Sequence, residues 1–221
     1  MYYTRKIDTY LKEWKSEPDH LPLIVKGARQ IGKTESILRF AKENYKSVIY
    51  INFALDQRFR NILADGYDVD SVIRNISFND PSVTFIPGKT IIVFDELQEN
   101  PDVATTLKSF KLDGRYDVIC SGSMLGINYK KIHSNSVGYK TDYEMHSMDF
   151  EEFLWAKGYR QEQIDSIVEH MLENKPFNVN EMGVFKGLFL DYCVLGGMPA
   201  VERKYLETGT FSGSLDIQKQ I

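Results

Sequence analysis

Gly27-Ala28-Arg29-Gln30-Ile31-Gly32-Lys33-Thr34 places two glycines five positions apart and follows the second at once with a lysine and a threonine. Glycines at both ends of such a loop let the backbone fold tightly enough for successive N–H groups to point inward at phosphate oxygens. Lys33 has the reach for β- and γ-phosphates, and the Thr34 hydroxyl is a candidate ligand for magnesium. A helix opening at Thr34 and Glu35 would add its positive end to the same anion. The residues from Gly27 through Ala28, Arg29, Gln30, Ile31, Gly32, Lys33 and Thr34 to Glu35 are therefore the candidate nucleotide cradle. The competing reading, a glycine turn with an exposed lysine, fits less well because the loop lies between a strand pattern and a helix pattern.

A second constellation is Thr90-Ile-Ile-Val-Phe94 followed by Asp95-Glu96. An apolar strand would deliver two adjacent carboxylates to its C-terminal edge, where ligands collect in open α/β sheets. Asp95 is the candidate holder of magnesium through its water shell. Glu96, directed differently, is the candidate base that polarises an attacking water. A third is Ser121-Gly-Ser123, just past the strand pattern Asp117–Cys120. Hydroxyls of Ser121 and Ser123 there could bond a γ-phosphate or the attacking water, against the plainer reading of a Ser-Gly turn.

These groups need a scaffold, and the periodicity supplies one. Leu21–Lys26, Ser47–Phe53, Thr90–Phe94 and Asp117–Cys120 are short apolar runs with little alternation, as in parallel strands buried on both faces. Tyr139–His146 is a weaker fifth candidate. Helical spacing follows the loop (Ile37, Leu38, Ala41, Tyr45), occurs weakly over Ala54–Phe78 with a break at Gly66, and resumes after Pro101. This rhythm implies an α/β layered parallel sheet sandwiched by helices. Beyond Met148 the pattern turns helical: Phe150–Trp155, Glu162–Leu172 and Met182–Leu195, then a break at Gly196-Gly197-Met198-Pro199. The expected division is a core over 1–147 and a C-terminal helical appendage over 148–221.

Composition bounds the function. The 221 residues carry 27 basic and 31 acidic side chains, a net charge of -4, which argues against a wholly basic nucleic-acid coat. No apolar run reaches the length of a membrane span, and the first residues lack a secretory signal pattern. Two cysteines without a C-x-x-C pair support neither a disulfide framework nor a thiolate zinc site, so a reducing cytoplasm is the default.

The segments GARQIGKT, IIVFDELQ and ICSGSMLG, joined by MDFEEFLWAKG and CVLGGMPA, resemble the bacterial and archaeal AAA-type ATPases that precede a C-terminal domain of unknown function. Strand Ser47–Phe53, between the loop and the acid pair in sequence, matches the P-loop class that carries a catalytic glutamate and an inserted strand. The resemblance implies a P-loop NTPase fold, ATP and Mg2+ as ligands, and hydrolysis that switches an attached module. It also implies a downstream winged helix and nuclease-like region, before most of which this sequence ends, so that nucleic-acid or protein partners would be met through a region beyond it. Matching site positions are the loop, Asp95, Glu96, Gln98, Ser121 and Ser123. One departure stands out: where many relatives carry arginine near the fifth strand, this chain has Gly138-Tyr139-Lys140. From Tyr116 no arginine occurs until Arg160, leaving Lys130, Lys131, Lys140 and Lys157. Lysine is the poorer bidentate phosphate partner, and Arg29 is a candidate substitute.

The principal alternative is a non-hydrolytic, ATP-gated interaction or DNA-binding module. A small-molecule kinase fits poorly without lid arginines, and a GTPase fits poorly without an Asn-Lys-x-Asp signature. His20, His133, His146 and His170 lack metal-ligand spacing. Cys120 reads as a small core residue and Tyr129–His133 as a solvated basic loop. Tyr2, Tyr3 and Arg5 are candidates to flank an adenine, and Phe150, Phe153, Leu154 and Trp155 read as a helix–sheet seam.

Overall fold

The computed structural model describes residues 2–123, 136 and 138–220. The chain forms two compact units, one over Tyr10–Met145 and the other made of Met1–Thr9 with His146–Ile221.

The first unit is built on a five-stranded parallel sheet. Its strands are β1 (Leu23–Gly27), β2 (Ser47–Asn52), β3 (Thr90–Asp95), β4 (Asp117–Ser123) and β5 (Thr141–Glu144), in spatial order β2-β3-β4-β1-β5. All six residues of β3 are buried, which is why that segment reads as an apolar run without alternation. The strand lying between β1 and β3 in space is β4, while β2, the strand between them in sequence, takes the edge. Register aligns one end of the sheet: Gly27 pairs with Ser123, and Asn52 with Asp95. Sequence positions far apart are thus brought to a single rim.

Helix α1 spans Lys6–Ser16, α2 Lys33–Asn44, α3 Val69–Asn79 and α4 Val103–Asp113. In α2 the buried residues Ser36, Ile37, Phe40 and Ala41 form the one-sided stripe expected of a helix covering a sheet. Asp68 caps α3 by accepting a hydrogen bond from the Ser71 amide. Ile24, Ile51, Ile92, Phe94 and Val118 from the strands meet Val72, Ile76, Leu107 and Phe110 from the helices in one core. Several expectations change. The weak helical stretch after Ala54 resolves into a 3-10 turn (Gln57–Phe59) and α3. Helix α4 starts at Val103, two residues past Pro101. Strand β4 runs on through Ser123, so Ser121-Gly-Ser123 is strand and not a turn. Helix α1 was absent from the sequence reading, although Ile7, Leu11 and Trp14 stand at helical spacing and are buried.

At the opposite rim, His20 lies 3.0 Å from the Glu17 carbonyl through Nδ1 and 3.0 Å from Asp117 Oδ1 through Nε2. Two acceptors call for two N–H donors, which only the imidazolium supplies. The Asp117 contact accordingly raises the His20 pKa above its ordinary value. Burial would raise Asp117 itself, but the bonds from His20 and from the Tyr45 hydroxyl, at 2.6 Å, outweigh it and hold the carboxyl low.

The second unit contains α5 (Phe150–Ala156), α6 (Gln161–Leu172), α7 (Val179–Leu195), α8 (Pro199–Thr208) and α9 (Ser212–Gln218). Capping boxes Asp149/Glu152 and Asn178/Glu181 start α5 and α7. Phe153, Leu195, Val201 and Tyr205 are its core, with Phe150 and Tyr192 packed on them. Phe150 and Phe153 therefore pack among helices of this unit rather than in the expected helix–sheet seam. Residues 1–9 belong here because Arg5, nearly fully buried, pairs with Glu152 at 3.0 Å, and the Lys6 amide donates to Glu152 Oε1 at 2.6 Å. Gly197 lies so close to Met148 that a Cβ would stand 2.2 Å from its carbonyl oxygen, at φ +74. The Met148 amide in return donates to Gly197 O at 2.7 Å. Glu202 is fully buried, and burial pushes its carboxyl up to about 7 against the opposing pull of the Gly197 amide and Lys157.

Two stability effects follow. Gly197→Ala should cost more than about 2 kcal/mol, since left-handed strain of 1–3 kcal/mol is joined by a backbone clash. The same change at Gly209 (φ +67), where nothing lies within 4 Å, should cost only about 1 kcal/mol. Glu202 ionises near pH 4.3 when unfolded and near 7 when folded, so its contribution is lost as pH rises through that window. His20, also raised, adds a loss of the same sign above its unfolded pKa of about 6.5. Thermal melts should show stability falling from pH 5 to pH 8, with a shallower fall in Glu202→Gln. An unchanged slope in that variant would refute the assignment.

Candidate functional site

Gly27 closes β1 where a Cβ would stand 2.2 Å from the Met145 carbonyl oxygen and 2.6 Å from Ile31 Cδ1. Only glycine lets the chain leave the sheet there. Gln30 turns through φ +62, and Gly32, at φ +92, caps α2 without a side chain. Ile31 is buried as the anchor of the loop, while Ala28, Arg29 and Gln30 are exposed over it. The loop is thus a bend of main chain pinned at Gly27 and Ile31, and it ends in the N-terminus of a 12-residue helix.

The half-buried Lys33 folds back over this bend, with Nζ 3.0 Å from the Gly27 carbonyl and 2.5 Å from that of Ala28. Burial lowers its pKa, opposed by the nearby charges of Glu96 and Asp95. Thr34, the first-turn neighbour, donates its hydroxyl to Asp95 Oδ2 at 2.9 Å across 61 positions of sequence. This bond ties the loop to the acid pair.

Asp95 is 3% exposed and is surrounded by donors from three directions. Oδ2 also accepts from the Tyr50 hydroxyl at 2.8 Å and from Asn52 Nδ2 at 3.3 Å, both on β2. Oδ1 accepts from the Ser121 hydroxyl on β4 and from the Glu96 amide at 3.0 Å. Burial, and then the bond to Asp95, pushes the Tyr50 phenol up to about 12 against an opposing effect of Asn52. Tyr50 and Asn52 escaped the sequence reading. They stand two apart on one face of a strand, the spacing that would have placed both side chains on the same side.

Glu96 follows in the left-handed conformation, φ +56 and ψ +48, which is uncommon for a residue with a side chain and is found where a functional group must be re-aimed. Its carboxylate accepts a hydrogen bond from Gln98 Nε2, and Gln98 Oε1 accepts from the Ser123 amide at 3.3 Å. Arg29, Gln30, Gly32, Lys33, Thr34, Glu35, Glu96, Gln98 and Glu99, with Ala54, enclose a cavity of about 560 Å3. That volume falls within the range of small-molecule sites.

The loop, Asp95, Glu96 and Gln98 are therefore brought together. Ser121, fully buried inside β4, bonds Asp95 and is not among the residues that line the cavity. Tyr2 bonds Asp8 at 2.7 Å, and Arg5 bonds Glu152 and the His146 carbonyl, so both are engaged within the helical unit. Of the cations weighed as arginine replacements, Lys140 pairs with Asp142 at 2.7 Å and Lys157 lies 5.1 Å over the Tyr205 ring. Arg29 lines the cavity. Lys130, Lys131 and the stretch Tyr129–His133 lie outside the described residues. Among the described residues no cluster of three His, Cys, Asp or Glu could hold a metal, and no helix is long and apolar enough to cross a membrane.

The Walker-type ATPase PABY2304 of Pyrococcus abyssi superposes with a TM-score of 0.52 at 15% identity, over 97% of this chain and 71% of that one. Thermotoga maritima RuvB gives a more partial likeness, with a TM-score of 0.45 at 13% identity, over 68% of this chain and 48% of that one. The fold is that of a P-loop NTPase. No curated protein matches the sequence. A family model described as an AAA domain matches residues 19–154, more than half of the chain and the span that holds both the loop and the acid pair. The chain belongs to the AAA-type ATPase family.

Proposed function

We propose that this protein binds ATP in the cavity above Gly27–Thr34 and hydrolyses it with magnesium. The observation that carries the reading is the Thr34–Asp95 hydrogen bond, which ties the buried Asp95 to a loop whose Lys33 and Thr34 line one cavity with Glu96. The donor chemistry fits a magnesium–polyphosphate complex. The lining has two cations, Arg29 and Lys33, against three carboxylates, Glu35, Glu96 and Glu99, so a bare tetra-anion would be poorly balanced. A magnesium ion typically takes one or two protein oxygens and completes its shell with water and phosphate, which suits Thr34 and Asp95 better than a dedicated cage. When bound there it would neutralise charge on the β- and γ-phosphates.

The roles of the chain's own groups follow from placement. Lys33 exchanges its loop carbonyls for phosphate oxygens, and main-chain N–H groups after Gly27 cradle them. Thr34 would hold the metal, and Asp95 would do so through water, its carboxylate fixed by Tyr50, Asn52 and Ser121. Glu96 orients a water and accepts its proton. Arg29 is the nearest arginine to offer charge to the γ-phosphate from within the chain. The work of the cycle is proposed to fall on the helical unit. Two covalent passages join that unit to the ATPase unit, one inside α1 at residues 9–10 and one after β5 at 145–146.

Calorimetry and phosphate release separate these roles. Lys33→Ala should weaken ATP binding by at least about 30-fold, the loss of a charged hydrogen-bond donor worth about 2 kcal/mol. Glu96→Gln should bind ATP within about 3-fold of wild type yet lose about 10²- to 10⁴-fold in turnover. Equal losses of affinity in the two variants would overturn the division of labour.

A further inference from the structure

Gln98 carries a feature that nucleotide binding alone does not require. It sits in the 3-10 turn Leu97–Glu99, directly after Glu96. Leu97 plugs this turn into the core, and the Glu99 amide closes it onto the Glu96 carbonyl at 2.9 Å. The Gln98 side chain projects into the phosphate cavity beside Lys33 and Thr34. Its two ends are distinguishable by chemistry. The Ser123 main-chain N–H can only donate, so the end facing it at 3.3 Å must be the oxygen. The amide nitrogen is then directed at Glu96, where it donates to Oε2. Glu96 lines the same cavity, and its Oε1 has no hydrogen bond among the described residues.

We infer that Gln98 is the positioning residue of Glu96. It fixes the carboxylate from one oxygen, referenced to the end of β4, so that the other oxygen presents a single direction to a water. The inference rests on the ATPase reading above. Glu96 needs such a support because it hangs from a left-handed residue at a strand end, and three rotatable bonds leave its carboxylate otherwise free to wander. A neutral amide donor serves this purpose without neutralising the base, whereas a cation in its place would compete for the proton-accepting charge. Catalytic groups misplaced by about 1 Å lose on the order of 100-fold in rate, so a small support has a large lever.

Two variants test it in the full chain with ATP and magnesium. Gln98→Leu removes both bonds. Gln98→Glu keeps the shape and the acceptor for the Ser123 amide but replaces the donor to Glu96 with a like charge. Both should lower kcat by about 10- to 100-fold while KM and ATP affinity stay within about 3-fold. In Gln98→Glu the deficit should shrink as pH falls and the introduced carboxyl gains a proton it can donate; Gln98→Leu should show no such recovery. A purely structural role would move melting temperature and affinity together and give no pH-dependent recovery. Wild-type turnover and pH profile in Gln98→Glu, or faster turnover in Gln98→Leu, would overturn the inference. Failure of the wild-type protein to bind ATP would instead sink the reading of the cavity, and binding without any turnover would leave the cavity as an ATP site but sink hydrolysis and the inference with it.

Discussion

One carboxylate organises the ATPase unit. Asp95 accepts hydrogen bonds from the helix that follows the loop, from the edge strand β2, from β4 and from its own next amide. Each donor comes from a different stretch of chain, so the carboxylate is the point at which these segments are held in mutual register. A buried charge is costly unless its lone pairs are filled, and here polar neighbours fill them without a cation. Hydrogen bonds to a charged group contribute about 1.5–3 kcal/mol apiece, and leaving any one unmade costs comparably. The arrangement is therefore restrictive: a shift of β2 or β4 by one residue would expose the charge and turn the alternating side chains to the wrong face.

That restriction explains why the cavity has the composition it has. The loop can present main-chain N–H groups because Gly27 and Ile31 absorb the turn, and Lys33 rests on loop carbonyls in reach of the space above. Glu96 diverges from Asp95 through a left-handed step, so two adjacent carboxylates point in different directions. One is enclosed and saturated, and the other is half-buried and supported from one side. Adjacent residues on an ordinary strand would also face opposite ways, but one would be lost to the core. The left-handed turn brings both to the same rim.

The helical unit follows different rules. It has no strand ladder, so its shape comes from capping boxes and close backbone approach, with Gly197 against Met148 and the Arg5–Glu152 pair holding the first residues to it. Glu202, fully buried and pushed up to about 7, leaves this unit sensitive to pH between the ordinary carboxylate range and that value. The α7 helix is apolar around much of its circumference and leaves Phe189, Leu190 and Val194 exposed among the described residues.

Local chemistry was legible from the sequence alone. The loop from Gly27 to Thr34, the acid pair, the parallel-strand rhythm and the shift to helices near residue 148 depend on nearest-neighbour patterns, which a sequence records directly. Helix α1 is legible only from Ile7, Leu11 and Trp14, a three-residue stripe with no motif beside it. What only the tertiary structure decided are contacts across long separations. They include the spatial insertion of β4 between the motif strands, the continuation of that strand through Ser123, Tyr50 and Asn52 closing on Asp95, and the Gln98 amide spanning Glu96 and Ser123. Beyond the two-residue spacing of Tyr50 and Asn52, none has a periodic signature, because each depends on strand register and on which polar group is left needing a partner once the core has closed.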